Sequence, residues 1–257
     1  GITVYHLNIE QPDIETPKPM LDAVRHSDFK ILEYSHSAGN ETYRRKLVKY
    51  YKAAGIMIDH THILITTGGS EAILFAMMSC LDAGDEVIIP EPFYANYNGF
   101  AVAAGVKVVP VTSYIKGGFA LPPIAALKEK ITSRTRAILI CNPNNPTGYL
   151  YSRSELETLK DIVQKHGLFL VSDQAYRKFC YTGTHFNAMQ LEGVDENVIL
   201  LDTISKRYSS CGARIGALIT KNKQVLETTV KFAQARLSPP SFGQIAGEAA
   251  LDLPADY

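Results

Sequence analysis

Seven short apolar runs, each set off from the next by polar or amphipathic sequence, constrain this chain more than any other feature. They are ILIT (63–66), EVIIP (86–90), VKVVPV (106–111), RAILIC (136–141), LFLVSD (168–173), VILLDT (198–203) and IGALIT (215–220). Most are continuously apolar, the composition of strands covered on both faces. Helical stretches lie between them, including Ser70 to Leu81, Ser152 to His166 and Lys221 to Arg236, and Glu41 to Ala54 precedes them, ended by Gly55. In the second, Leu156, Leu159 and Val163 recur at helical spacing and Gly167 supplies the stop. Strands alternating with helices predict an α/β layered domain of parallel strands joined by helical crossovers.

Residues 1–35, with Pro12, Pro17 and Pro19, read as an extended arm leading into a short helix, outside the alternating pattern of 36–257. At the other end, FGQIAGEAALDLPADY begins a helix and then stops. With 257 residues and 46% hydrophobic content, the chain has enough material for one large buried core. Lys plus Arg (26) equals Asp plus Glu (26), so no global field draws the protein to nucleic acid or an anionic membrane. An anionic ligand must therefore be held by local groups. No apolar stretch is long enough for a bilayer, and GITVYHLNIE lacks the basic start and apolar centre of a signal peptide, so a cytoplasmic protein is expected. Cys80, Cys141, Cys180 and Cys211 are widely spaced with no CxxC pair, which predicts buried thiols and no metal site.

The chemistry-bearing residues follow strand ends. After ILIT comes Thr67-Gly68-Gly69-Ser70-Glu71-Ala72, where glycines allow close approach to a ligand and the next helix offers free N–H groups. Taken alone, this is equally a plain turn. After EVIIP, the run Pro90-Glu91-Pro92-Phe93-Tyr94-Ala95-Asn96-Tyr97 places aromatics where one can cover a flat ring, although core packing is the commoner fate of such residues. After RAILIC, Asn142-Pro143-Asn144-Asn145-Pro146-Thr147-Gly148 is a rigid loop able to hold an amide toward a ligand, and Pro146 is a candidate for a cis peptide. LFLVSD ends in Asp173, three residues before Tyr176, and a buried carboxylate there needs a cation such as a protonated ring nitrogen, or else caps a helix. VILLDT is followed by Ser205-Lys206, then Arg214-Ile215-Gly216, and Lys206 is the candidate Schiff-base former.

This order of elements closely resembles the class I/II aminotransferases, the aspartate aminotransferase family within fold type I of the pyridoxal phosphate enzymes, through nearly the whole chain. Asn8 to Asp13 and the stretch from Tyr34 to Arg44, with Gly39, also fit. The resemblance implies a three-layer α/β/α fold around a mostly parallel seven-stranded sheet. It implies that Lys206 carries pyridoxal 5'-phosphate as a Schiff base and acts as general base at the substrate Cα. Asp173 would pair with the ring nitrogen, Asn145 and Tyr176 would bond the phenolic oxygen, and Tyr94 would stack on the ring. Backbone N–H groups of Gly69, Ser70 and Glu71 would hold the phosphate, with the Thr203 and Ser205 hydroxyls and the Arg214 guanidinium, and Tyr34 would reach the phosphate of a second subunit. A homodimer acting on an amino acid, aspartate foremost, and a 2-oxo acid such as 2-oxoglutarate is thereby implied.

The sequence departs from that pattern in two places. Glu10 stands where relatives usually have Gly, so a carboxylate would crowd or repel a substrate at the position where Glu10 and Asn145 would line its site. The chain also ends at Tyr257, where relatives continue into a small domain that residues 1–35 would join and that supplies the arginine for the substrate carboxylate. A piece comprising mainly the cofactor-binding domain is expected. The same cage serves β-lyases, and aminotransferase-like modules occur as non-catalytic ligand sensors. A nicotinamide dehydrogenase is disfavoured because Gly68-Gly69-Ser70 lacks the GxGxxG spacing.

Overall fold

A computed structural model describes residues 2–4, 9–254 and 257; Asn8 lies outside the described residues. The apolar runs form strands β1 (Ile63–Thr66), β2 (Glu86–Glu91), β3 (Lys107–Thr112), β4 (Thr135–Cys141), β5 (Phe169–Asp173), β6 (Val198–Thr203) and β7 (Gly216–Ile219). They make one seven-stranded sheet in the order β1-β7-β6-β5-β4-β2-β3. β7 runs antiparallel to both β1 and β6, whereas the other pairings are parallel. The exception has a simple cause. Residues 204–215 contain only short helical turns, too little for a crossover, so the chain leaves the end of β6 and re-enters the adjacent strand in reverse.

The helices are α1 (Lys18–Arg25), α2 (Glu41–Ala53), α3 (Gly68–Cys80), α4 (Asn96–Ala103), α5 (Ile124–Glu129), α6 (Arg153–His166), α7 (Ile204–Arg207), α8 (Lys223–Ala235) and α9 (Ser241–Ala250). Because strand side chains alternate between faces, the central strands feed two separate cores. Ile138, Ile140, Leu170 and Leu200 pack with Leu47 and Tyr51 of α2 and Leu156 and Leu159 of α6. Ala137, Leu139, Val171 and Ile199 pack with Ala72 and Met77 of α3, Tyr97 of α4 and Val225 of α8. The result is the three-layer α/β/α architecture.

α6 follows its sequence signals closely. Ser152 accepts from the Glu155 amide while Glu155 answers the Ser152 amide, a capping box, and Gly167 closes the helix in the left-handed conformation. α4, by contrast, begins within the run of aromatics that follows β2, and β3 is a partly exposed edge strand. In the proline-rich arm, α1 begins right after Pro17, Phe29 meets Phe242 of α9 edge-on at 5.7 Å, and residues 9–16 run past the sheet edge where β5 and β6 end. Among the described residues, no helix is long and apolar enough to cross a membrane.

Candidate active site

Since β1, β2, β4, β5 and β6 all run in one direction, their C-terminal ends share one edge of the sheet, where open α/β folds place ligands. A cleft of about 560 Å³ opens there. Its wall at β1 is Gly69 and Ser70, at β6 Thr203, Ser205 and Lys206, and at the start of β7 Arg214. Asp173 and Tyr176 follow β5, Asn145 follows β4, Tyr94 follows β2, and Glu10 comes from the arm. Glu71 and Tyr34 are the two sequence candidates outside the cleft lining. Glu71 turns its carboxylate back to the Thr67 amide (2.8 Å) and to Arg236 (3.2 Å). Tyr34 is 75% exposed.

One end of the cleft is built for an anion. α3 begins at Gly68, so its first-turn amides have no intrahelical acceptors and its dipole favours negative charge. Gly68 has φ +76°, and a Cβ on it would lie 2.4 Å from Arg214 Nη2; only glycine lets that guanidinium lie against the turn. Arg214 itself donates to the Cys211 carbonyl at 3.0 Å, and the Thr203 and Ser205 hydroxyls lie 2.9 Å apart beside it. Thr203 also accepts from the Ser205 amide, capping α7, which fixes both hydroxyls at the mouth.

Opposite lies Asp173, buried at the end of β5. Its Oδ2 accepts from the Tyr97 hydroxyl at 2.8 Å and Oδ1 from the Ala175 amide at 3.0 Å. Among the described residues it has no ion-pair partner. Burial pushes its carboxyl above the usual range, and these two donors only partly offset the effect. A cation entering the cleft would supply the missing partner. Beside it, burial raises the Cys141 thiol well above its ordinary value, and Asp173 adds to that.

Lys206 sits on α7, half-buried, with Nζ donating to the Glu10 carbonyl at 2.5 Å. Its neighbour Arg207 points the other way, into the core. There Arg207 donates to Asp202 Oδ2 (3.2 Å) and the Tyr50 hydroxyl (2.7 Å), and Arg177 donates to the same hydroxyl at 2.6 Å. Both guanidiniums lie over the Tyr50 ring, at 4.9 Å for Arg177 and 4.7 Å for Arg207. Burial opposes the charge of Asp202, yet Arg207 and then Arg177 hold its carboxyl below the usual range. This buried cluster anchors the turn that presents Lys206. Across the cleft, Glu10 Oε2 accepts from Asn145 Nδ2 and from the Tyr176 hydroxyl, each at 2.8 Å.

A family model described as aminotransferase class I and II matches residues 2–257. The chain belongs to that family. It is 35% identical over 250 residues to an aspartate aminotransferase of Pyrococcus horikoshii, covering 96% of its own length and 63% of the relative's. It is 32% identical to aromatic-amino-acid aminotransferase 2 of Thermococcus litoralis, covering 96% and 64% of the two chains. Aspartate aminotransferase from Thermotoga maritima superposes with a TM-score of 0.90 at 28% identity, over 96% of this chain and 66% of that one. The chain thus spans a little under two thirds of the length of these relatives.

The site roles of Tyr97 and Cys141 have no signal of their own in the sequence, because each looks like core. Tyr97 is a fully buried aromatic of α4 that proves to be a hydrogen-bond partner of Asp173. Cys141 ends β4 and lines the cleft, as does the partly buried Cys211, so the expectation that all the thiols are buried holds only for Cys80 and Cys141. Cys180 and Cys211 lie outside the apolar strands, on loops that are only partly covered. The Asn145–Pro146 peptide is cis, as are Asn142–Pro143 and Glu91–Pro92.

Proposed function

We propose that this chain is the cofactor-bearing part of a pyridoxal 5'-phosphate-dependent aminotransferase that moves an amino group between an amino acid, aspartate foremost, and a 2-oxo acid such as 2-oxoglutarate. One observation carries the reading. A primary amine, a buried carboxylate without a cationic partner among the described residues, and an anion cradle face the same cleft. The residues present fit that cofactor: the cradle at Gly68–Ser70 with Thr203, Ser205 and Arg214 takes its phosphate, and Asp173 takes its ring nitrogen. Asn145 and Tyr176 take its ring oxygen, and Tyr94 covers the ring face. When bound, the cofactor supplies an electron sink for the bond broken at the substrate Cα.

Lys206 Nζ would hold the cofactor and, once a substrate amine has displaced it, the freed amine would act as the base at the substrate Cα. The Asp173 carboxylate keeps the ring nitrogen protonated, and its burial strengthens that pairing. Cradle donors fix the phosphate end so that the amine and the carboxylate act on one orientation of the ring. Tyr34, exposed on its own chain, serves the phosphate of a second copy in a homodimer.

Adding pyridoxal 5'-phosphate, reducing with borohydride and mapping the adduct by mass spectrometry tests the reading. The modification is expected at Lys206, and Lys206→Ala is expected to abolish it; an adduct elsewhere would overturn the assignment. Amino transfer from aspartate compared with aromatic donors then tests the substrate.

A further inference from the structure

Glu10 combines two features that need an explanation together. Its φ is +56°, in the left-handed region that a residue with a Cβ rarely adopts. That turn aims its carboxylate inward, where Oε2 takes the hydrogen bonds of both Asn145 Nδ2 and the Tyr176 hydroxyl, while its carbonyl takes that of Lys206 Nζ. The surrounding chain fixes this placement. Ser209 Oγ donates to the Ile14 carbonyl at 2.6 Å and Thr16 Oγ1 donates to the Ser209 carbonyl at 2.5 Å, pinning the arm to the loop behind Lys206.

Asn145 is buried, and a buried donor left unpaired costs more than its hydrogen bond gains, so this pair of donors selects for an oxygen, preferably a charged one. The carboxylate of Glu10 is that oxygen. In the proposed function these same two donors hold the ring oxygen, and the inference rests on that reading. We infer that Glu10 is a built-in occupant of the ring-oxygen subsite, so that cofactor enters by exchange for the Glu10 carboxylate and leaves by the reverse. The side chain is exposed and sits on a surface arm, so it can swing out without unpacking the core. Lys206 is engaged by the same residue, so one segment restrains both the amine and the oxygen subsite until the ligand arrives.

The test is cofactor capture by the full chain, freed of cofactor, with pyridoxal 5'-phosphate as probe. Affinity is read by equilibrium titration, rate by stopped-flow absorbance, and attachment by borohydride mapping. Glu10→Gln keeps the reach and the backbone conformation but removes the charge, whereas Glu10→Gly removes the competitor altogether. Glu10→Gly is expected to bind at least about tenfold tighter and faster than the native chain, with Glu10→Gln between the two, because a charged acceptor competes better than a neutral one. The mapped adduct stays at Lys206 in all three. If both variants fall within about twofold of the native chain while Lys206 is still labelled, the exchange idea fails and the functional reading stands. Improvement in Glu10→Gly alone also overturns it, since backbone relief and not the carboxylate would then be responsible. Absence of an adduct at Lys206 in every form overturns both.

Discussion

Asp173 shows how a single residue is tuned by its neighbours. A carboxylate at the end of a buried strand is costly to ionise, and burial raises its carboxyl accordingly; the Tyr97 hydroxyl and Ala175 amide are what favour the charged form. Tyr97 is itself fully buried and lies edge-on to Tyr94 at 5.5 Å, so its hydroxyl has little freedom to point elsewhere. Tyr97→Phe keeps the ring in the core and deletes only the donor. Removing a hydrogen bond to a charged group is worth about 1.5–3 kcal/mol, so Asp173 should hold its proton to a higher pH in the variant. Spectroscopic titration of cofactor binding against pH is expected to show the acid limb displaced upward in Tyr97→Phe, with little change at alkaline pH. An unmoved limb would deny Tyr97 its positioning role.

At the scale of elements, α7 is too short to hold itself in place, and the cluster behind it supplies the rigidity. Two buried guanidiniums share one carboxylate and one phenol, with Tyr51 adding a hydrogen bond of 2.5 Å to Asp202. Asp202→Asn would leave both arginines without a counter-charge and is expected to lower the unfolding free energy by about 3–5 kcal/mol in urea titrations. Lys206→Ala, on the cleft side of the same turn, is expected to change it by less than about 1 kcal/mol. Such elements differ in how far the sequence reveals them. β4, β5 and β6 are legible because they are continuous apolar runs, and α6 because its cap and stop signals agree with its periodicity. α4 was not legible: NYNGFAVA has no polar stripe, and its first residues also read as a turn. The reversed direction of β7 follows from the brevity of the link after β6, a length visible in the sequence, whereas the apolar run of β7 carries no sign of its direction. Lys206, Asp173 and Asn145 were legible as polar residues at strand ends, whereas the bonds from Asn145 and Tyr176 to Glu10 join positions 135 and 166 residues apart and have no local signature.

Over the whole molecule, formal charge balances at 26 of each sign near neutrality, so net repulsion is small there and individual buried groups lead the pH dependence of stability. His185 is the clearest of these. Its Nε2 lies 3.2 Å from the Asn142 carbonyl, and burial, followed by the charge of Arg177, lowers it from 6.5 to about 4. The folded protein therefore resists a proton that the unfolded chain accepts. The stability this contributes is complete above 6.5 and is lost as pH falls from 6.5 toward 4. Asp202 acts in the same sense but at lower pH, beginning near its ordinary value of 3.8, whereas Asp173, shifted upward, favours the folded state as pH falls toward 3.8. Between neutrality and about pH 5, His185 contributes a loss of roughly 1–2 kcal/mol once its partial exposure is allowed for, and the upward-shifted Asp173 works against that loss. Urea midpoints measured across that interval should fall for the native chain and stay nearly level for His185→Gln, which has no proton to gain; a parallel fall in both would place the acid sensitivity elsewhere.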